Sequence, residues 1–97
     1  MNYRWHSGAL DDLEEATAFY FQQDPNIELR FADCIDKAIE QVTQSPNTWP
    51  IVEVEIRRYL VNIFPYSLFY TIEKDHILIL AVAHQSREPE YWKQRTD

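Results

Sequence analysis

The 97-residue chain holds one cysteine and one glycine, and each shortage removes classes of chemistry. Cys34 alone excludes an intrachain disulfide and a cysteine metal pair. It falls on the apolar face of a predicted helix, where a free thiol behaves as a small buried hydrophobe. Gly8 alone cannot build a glycine-rich phosphate loop. No G-x-S-x-G elbow, H-E-x-x-H or C-x-x-C motif occurs, so hydrolases, nucleotide-binding folds and zinc modules have no support, and neither a metal nor a cofactor is expected. No apolar run approaches the roughly 20 residues that a membrane span needs. Arg4, His6, Asp11 and Asp12 break up the first segment, so a signal peptide is not expected either. The expectation is a soluble, cytoplasmic protein. Basic charge is scarce too: nine Lys and Arg stand against 16 Asp and Glu, for a net charge of −7. That balance opposes direct nucleic-acid binding through the phosphate backbone. It is also uneven, with 11 acids and three bases in residues 1–55 but five acids and six bases in residues 56–97. Any surface for an acidic partner therefore belongs to the C-terminal half.

What is present is material for a core. A hydrophobic content of 45% with 14% aromatics is incompatible with disorder. A chain this short hides somewhat over ~60% of its unfolded surface on folding, and one domain over residues 1–97 follows. Asn2 to His6 alternates polar and aromatic residues, as a short strand does. Ser7 is the expected cap of a helix reaching about Gln23, with Leu10, Leu13, Thr17 and Tyr20 as its apolar stripe and Ala9, Ala16 and Phe19 beside it. Asp11, Asp12, Glu14 and Glu15 read as a solvated face. Asp24-Pro25 ends that helix and starts another, with Asp24 as cap and Pro25 in the first turn. Ile27, Phe31, Cys34, Ile35, Ala38, Ile39 and Val42 then recur at spacings of three and four. Two helices joined so tightly predict an antiparallel hairpin.

After the loop 44–50, which Trp49 is expected to pin to the core, residues 51–63 read as one strand. Pro65 interrupts the ladder, having no N–H to give. Ser67 to Glu73 alternates, residues 73–76 form a polar turn, and Ile77 to Ala83 is apolar on both faces, as a strand covered on both sides must be. The predicted class is α+β: an N-terminal strand, an antiparallel helical hairpin, a three-stranded antiparallel run completing a mostly antiparallel sheet, and a short C-terminal helix or tail from Glu88 to Arg95.

His84, Arg87 and Tyr91 follow the last strand at short intervals. Such residues at a strand's C-terminal edge can move protons or bind phosphate, and equally can make structural hydrogen bonds, with Tyr91 and Trp92 holding the tail to the sheet. Arg57 and Arg58 point to opposite faces, so at most one of them joins any pocket.

Arg58, Phe64-Pro65-Tyr66, Tyr70, Ile79 to His84, Arg87, Pro89, Tyr91-Trp92 and Arg95 together resemble the C-terminal signature of the RelE/ParE toxin superfamily, the toxic halves of bacterial toxin–antitoxin pairs, often called plasmid stabilisation proteins. The order of elements fits that resemblance. RelE-like members cleave messenger RNA on the ribosome, with several cations stabilising a charged phosphoryl transition state. Their strand arginine falls at Ser67 here, one strand lysine near Leu60 and the arginine after the last strand near Gln85. Each such charge typically supplies about 10²–10³ in rate. Of the family's set, only Arg58 and Tyr91 keep suitable types.

The resemblance thus implies a ParE-like toxin that inhibits DNA gyrase by binding, with Arg87, Tyr91, Trp92 and Arg95 as the target surface and Arg58 and His84 as further candidates. It implies a cognate antitoxin, anchored on exposed apolar residues such as Phe19, Phe21 and Ile27, in a heterotetramer or beside a homodimer. Two other readings stay open: a ribosome-dependent endoribonuclease using Arg58, His84, Arg87 and Tyr91, and a toxin fold that binds antitoxin but has lost toxicity.

Overall fold

The computed structural model describes residues 1–88 and 90–95; Pro89, part of the signature above, lies outside them. Among the described residues the order is β1 (Asn2–Trp5), α1 (Ser7–Gln23), α2 (Pro25–Gln44), β2 (Ile51–Glu53), β3 (Ile56–Leu60), β4 (Tyr66–Ile72) and β5 (His76–His84). The strands form one sheet ordered β1-β5-β4-β3-β2, antiparallel except for β1 against β5. This is the predicted α+β class. No helix among the described residues is long and apolar enough to cross a membrane.

The break between the helices falls where the Asp24-Pro25 pair places it. The Asp24 carboxylate accepts from the Asn26 N–H, and Pro25 occupies the first turn, where its missing N–H costs nothing. Phe31, Ile35, Ala38, Ile39 and Val42 of α2 are buried, as their spacing requires. The cap of α1 is His6 rather than Ser7: the His6 ring accepts from the Gly8 N–H at 2.9 Å. The buried line of α1 is Ala9, Asp12 and Ala16, so the helix is rotated from the expected stripe and Leu10 faces outward. Two alanines let the helix lie close to β5, and Asp12 goes inward between them.

The stretch 51–63 is two strands rather than one. It reverses at Val54-Glu55, and β2 returns against β3. Arg57 and Arg58 do diverge: Arg57 donates to the Asn47 and Trp49 carbonyls and fixes the preceding loop, while Arg58 is exposed on the other face. Trp49 packs on the core, edge-on to Tyr59.

β5 carries the position of the site. Phe69 pairs with Ala81 but Tyr70 with Ile79, so Leu80 is an inserted residue, a β-bulge. A bulge shifts the alternation of faces beyond it. Ile77, Ile79 and Val82 enter the core beneath the helices, whereas Leu78, Leu80, Ala81 and Ala83 form a second cluster on the outer face with Phe69 and Trp92. His84, opposite Tyr66, thereby stands on the helix side.

Candidate functional site

Residues 90–95 are a turned segment, neither strand nor helix, laid across the outer face of the sheet. The Trp92 ring stacks on Phe69 with centroids 4.2 Å apart and is buried, so it serves as the anchor of the segment and presents little surface to a partner. Lys93 forms ion pairs with Glu53 and Glu90, and hydrogen bonds to Glu90 first and Glu53 second raise its pKa. It ties the segment to β2.

The other side of the segment is polar. Beyond Ile79, whose carbonyl accepts from His6 N–H, β1 has ended and β5 needs other partners. The Val82 N–H donates to Asp12 Oδ2 at 3.1 Å and the Leu80 carbonyl accepts from Arg95 Nη1 at 2.8 Å. Arg95 also grips Asp12, Nη1 to Oδ2 at 2.8 Å and Nη2 to Oδ1 at 3.3 Å. Tyr91 Oη donates to Oδ2 at 3.1 Å. The two charged side chains are only 6% (Asp12) and 17% (Arg95) exposed. Burial works against the Arg95 charge, but the hydrogen bond and charge of Asp12 outweigh it and its pKa is raised. Burial, reinforced by the Asp12 charge, pushes the Tyr91 phenol well above its usual range. Asp12 is therefore no member of a solvated face, as expected from its acidic neighbours; it is the centre of a buried polar cluster. Gly8 leaves the room that the Arg95 guanidinium occupies, because a Cβ there would lie 2.5 Å from Arg95 Nε and 2.6 Å from Cζ and would displace it.

Arg87 extends the stack outward. Its guanidinium lies 4.0 Å from the Tyr91 ring centroid, and that of Arg95 lies 4.9 Å from the same ring. A cleft of about 350 Å³ opens between the segment and the outer sheet, bordered by Arg58, Ser67, His84, Arg87, Tyr91 and Lys93. His84 Nδ1 accepts from Ser86 N–H at 3.0 Å, and its ring stands edge-on to Tyr66. Of the sequence-derived site residues, Arg58, His84, Arg87, Tyr91 and Trp92 thus gather at one cleft, while Arg95 sits behind it on Asp12. Phe19 borders a second cleft with Tyr66, His84 and Arg87. Phe21 lies on a different side of α1, and Ile27 is half-buried rather than exposed. Among the described residues no group of three or more His, Cys, Asp and Glu is placed to hold a metal.

Asp12, Gly8 and the Lys93–Glu53 pair were missed by sequence reasoning. The one available signal was Gly8 itself: a glycine in the first turn of a helix costs roughly 1 kcal/mol against alanine and calls for a close approach to explain it.

Comparison with known proteins gives the family. A family model described as the ParE toxin of type II toxin–antitoxin system, parDE, matches residues 3–89. Toxin ParE2 of Mycobacterium tuberculosis, in two strains, is 30% identical over 87 residues, which are 89% of this chain and 83% of that protein. A solved chain of the chromosomal ParDE TA system from P. aeruginosa superposes with a TM-score of 0.76 at 20% identity, over 87% of this chain and 95% of that one; this likeness bears on the fold.

Proposed function

The chain belongs to the ParE toxin family of type II toxin–antitoxin systems, and from that premise we propose that it arrests growth by binding DNA gyrase, without turnover, until a cognate antitoxin covers it. The observation that carries the choice of binding over cleavage is the state of the RNase positions. Leu60 and Gln85 are exposed and uncharged, Ser67 is buried in the sheet, and Tyr91 commits its hydroxyl to Asp12. A phenol held protonated by burial and a neighbouring carboxylate is a poor general base. Preorganised cations are what phosphoryl transfer draws on; of those at the cleft Lys93 is held by Glu53 and Glu90, and Arg58 and Arg87 stand where the nuclease constellation needs more.

Expression of the chain alone should halt division and induce a DNA-damage response, and the purified protein should inhibit supercoiling by gyrase. Arg87→Ala should weaken inhibition about tenfold, a loss of roughly 1.4 kcal/mol for one exposed contact. Growth indifferent to expression would remove toxicity. Messenger RNA cut in a translating extract, with supercoiling untouched, would transfer the protein to the enzymatic reading.

A further inference from the structure

We propose that Asp12 is the positioning residue of the target-binding surface: one carboxylate on α1 holds residues 90–95 in register on the sheet and, through Tyr91, sets where Arg87 stands. This rests on the binding reading above for what the surface does, and on geometry alone for how it is held.

Asp12 gathers donors from three places, Val82 N–H, Tyr91 Oη and Arg95, which lie 70, 79 and 83 residues away in sequence. Among the described residues the segment makes no backbone hydrogen bond to the sheet; its two, Lys93 N–H to the Glu90 carbonyl and Arg95 N–H to that of Trp92, are internal. Among the described residues, side chains therefore dock it. The Trp92–Phe69 stack supplies apolar contact, which is non-directional, and Lys93 is a partly exposed point charge. The forked Arg95–Asp12 contact is the directional element, since a planar guanidinium meets a carboxylate in one orientation. The fork passes over the backbone of Gly8, where any Cβ would collide. Arg87 has no carboxylate within ion-pair distance among the described residues and rests on the Tyr91 ring. Where Tyr91 goes, Arg87 follows. Arg95 is accordingly a positioning residue as well, and no contact of the target.

The test is hydrogen exchange on the full chain alongside gyrase supercoiling assays at equal folded concentration. Asp12→Asn keeps the shape and removes the charge. The amides of Lys93 and Arg95 should lose protection at least about tenfold while those of α2 and β4 keep theirs, and gyrase inhibition should fall at least about tenfold. Gly8→Ala, which displaces Arg95 from outside the cluster, should reproduce both effects. Arg95→Lys should recover part of what Arg95→Ala loses. Unchanged protection of the segment in both Asp12→Asn and Gly8→Ala overturns the proposal, as does a released segment with full inhibition. Should Asp12→Asn unfold the whole chain, Gly8→Ala decides. If the unaltered chain neither inhibits gyrase nor arrests growth, the functional reading fails, and the exchange pattern still decides whether Asp12 holds the segment.

Discussion

Val54 and Ile63 have φ angles of 47° and 72°, in the left-handed region where a Cβ crowds the following carbonyl at a cost of roughly 1–2 kcal/mol. β-branched side chains tolerate it worst, and neither residue recovers the strain by burial, being 83% and 68% exposed. Ile63→Asn should therefore raise stability by about 1 kcal/mol, seen as a higher urea midpoint with unchanged slope. A lower midpoint would mean that Ile63 makes contacts worth more than its strain. Residues at this scale were the least legible in the sequence. Asp12 stands among Asp11, Glu14 and Glu15, the same type in the same turn, and only its distant partners set it apart. Trp92 was open to two readings, a contact for a target by resemblance or a hold of the tail on the sheet, and its stack on Phe69 has it in the second.

The extents of both helices and the buried face of α2 were legible because their signals are local, whereas the face α1 turns inward was not. The Asp24-Pro25 cap and the apolar recurrence along α2 act over a few residues, and the structure has both. Strands were less so. β5 is apolar throughout, so its bulge at Leu80 leaves no trace in the polar–apolar pattern, although it decides which face His84 joins. The β2–β3 turn was hidden because Val54 and Glu55 are not turn formers, and the chain takes the left-handed conformation with a residue that does not advertise it. On α1 the elements make a prediction about the proposed antitoxin. Phe19 and Phe21 are each 55% exposed and, two residues apart on a helix, point roughly 200° apart. One borders the His84 cleft and the other the groove with Leu13 and Glu28. A single antitoxin helix cannot cover both, so an antitoxin anchored on the two wraps α1. Phe19→Ser and Phe21→Ser should each weaken its binding by about 1.5–3 kcal/mol, tenfold or more in affinity, while the thermal midpoint of the free chain changes little. Full affinity in either variant confines the antitoxin to the other side.

At the scale of the whole molecule, three phenols sit at three different joints. Tyr66 belongs to the aromatic cluster of Tyr20, Phe31 and Phe64 between helices and sheet. Tyr70 donates to the Pro46 carbonyl at 2.7 Å and closes the loop onto the sheet. Tyr91 binds the C-terminal segment to α1 through Asp12. Burial is the main cause that pushes each upward, Tyr70 to about 12 and the other two further, from an unfolded value near ~10. Above pH ~10 the unfolded chain releases protons that the native chain retains, so the native state binds more and stability falls as pH rises. The stabilisation is complete below pH ~10 and is lost above it, at up to about 1.4 kcal/mol per pH unit for each phenol. Alkali should thus loosen all three joints together, and the growing negative charge of an already acidic chain adds repulsion in the same direction. The two contributions separate in Tyr66→Phe, which removes one titrating group and leaves the net charge of the folded chain unchanged. Urea midpoints measured from about pH 8 to 11.5 should fall less steeply in that variant than in the parent. Equal slopes would assign the alkaline loss to general repulsion and not to the buried phenols.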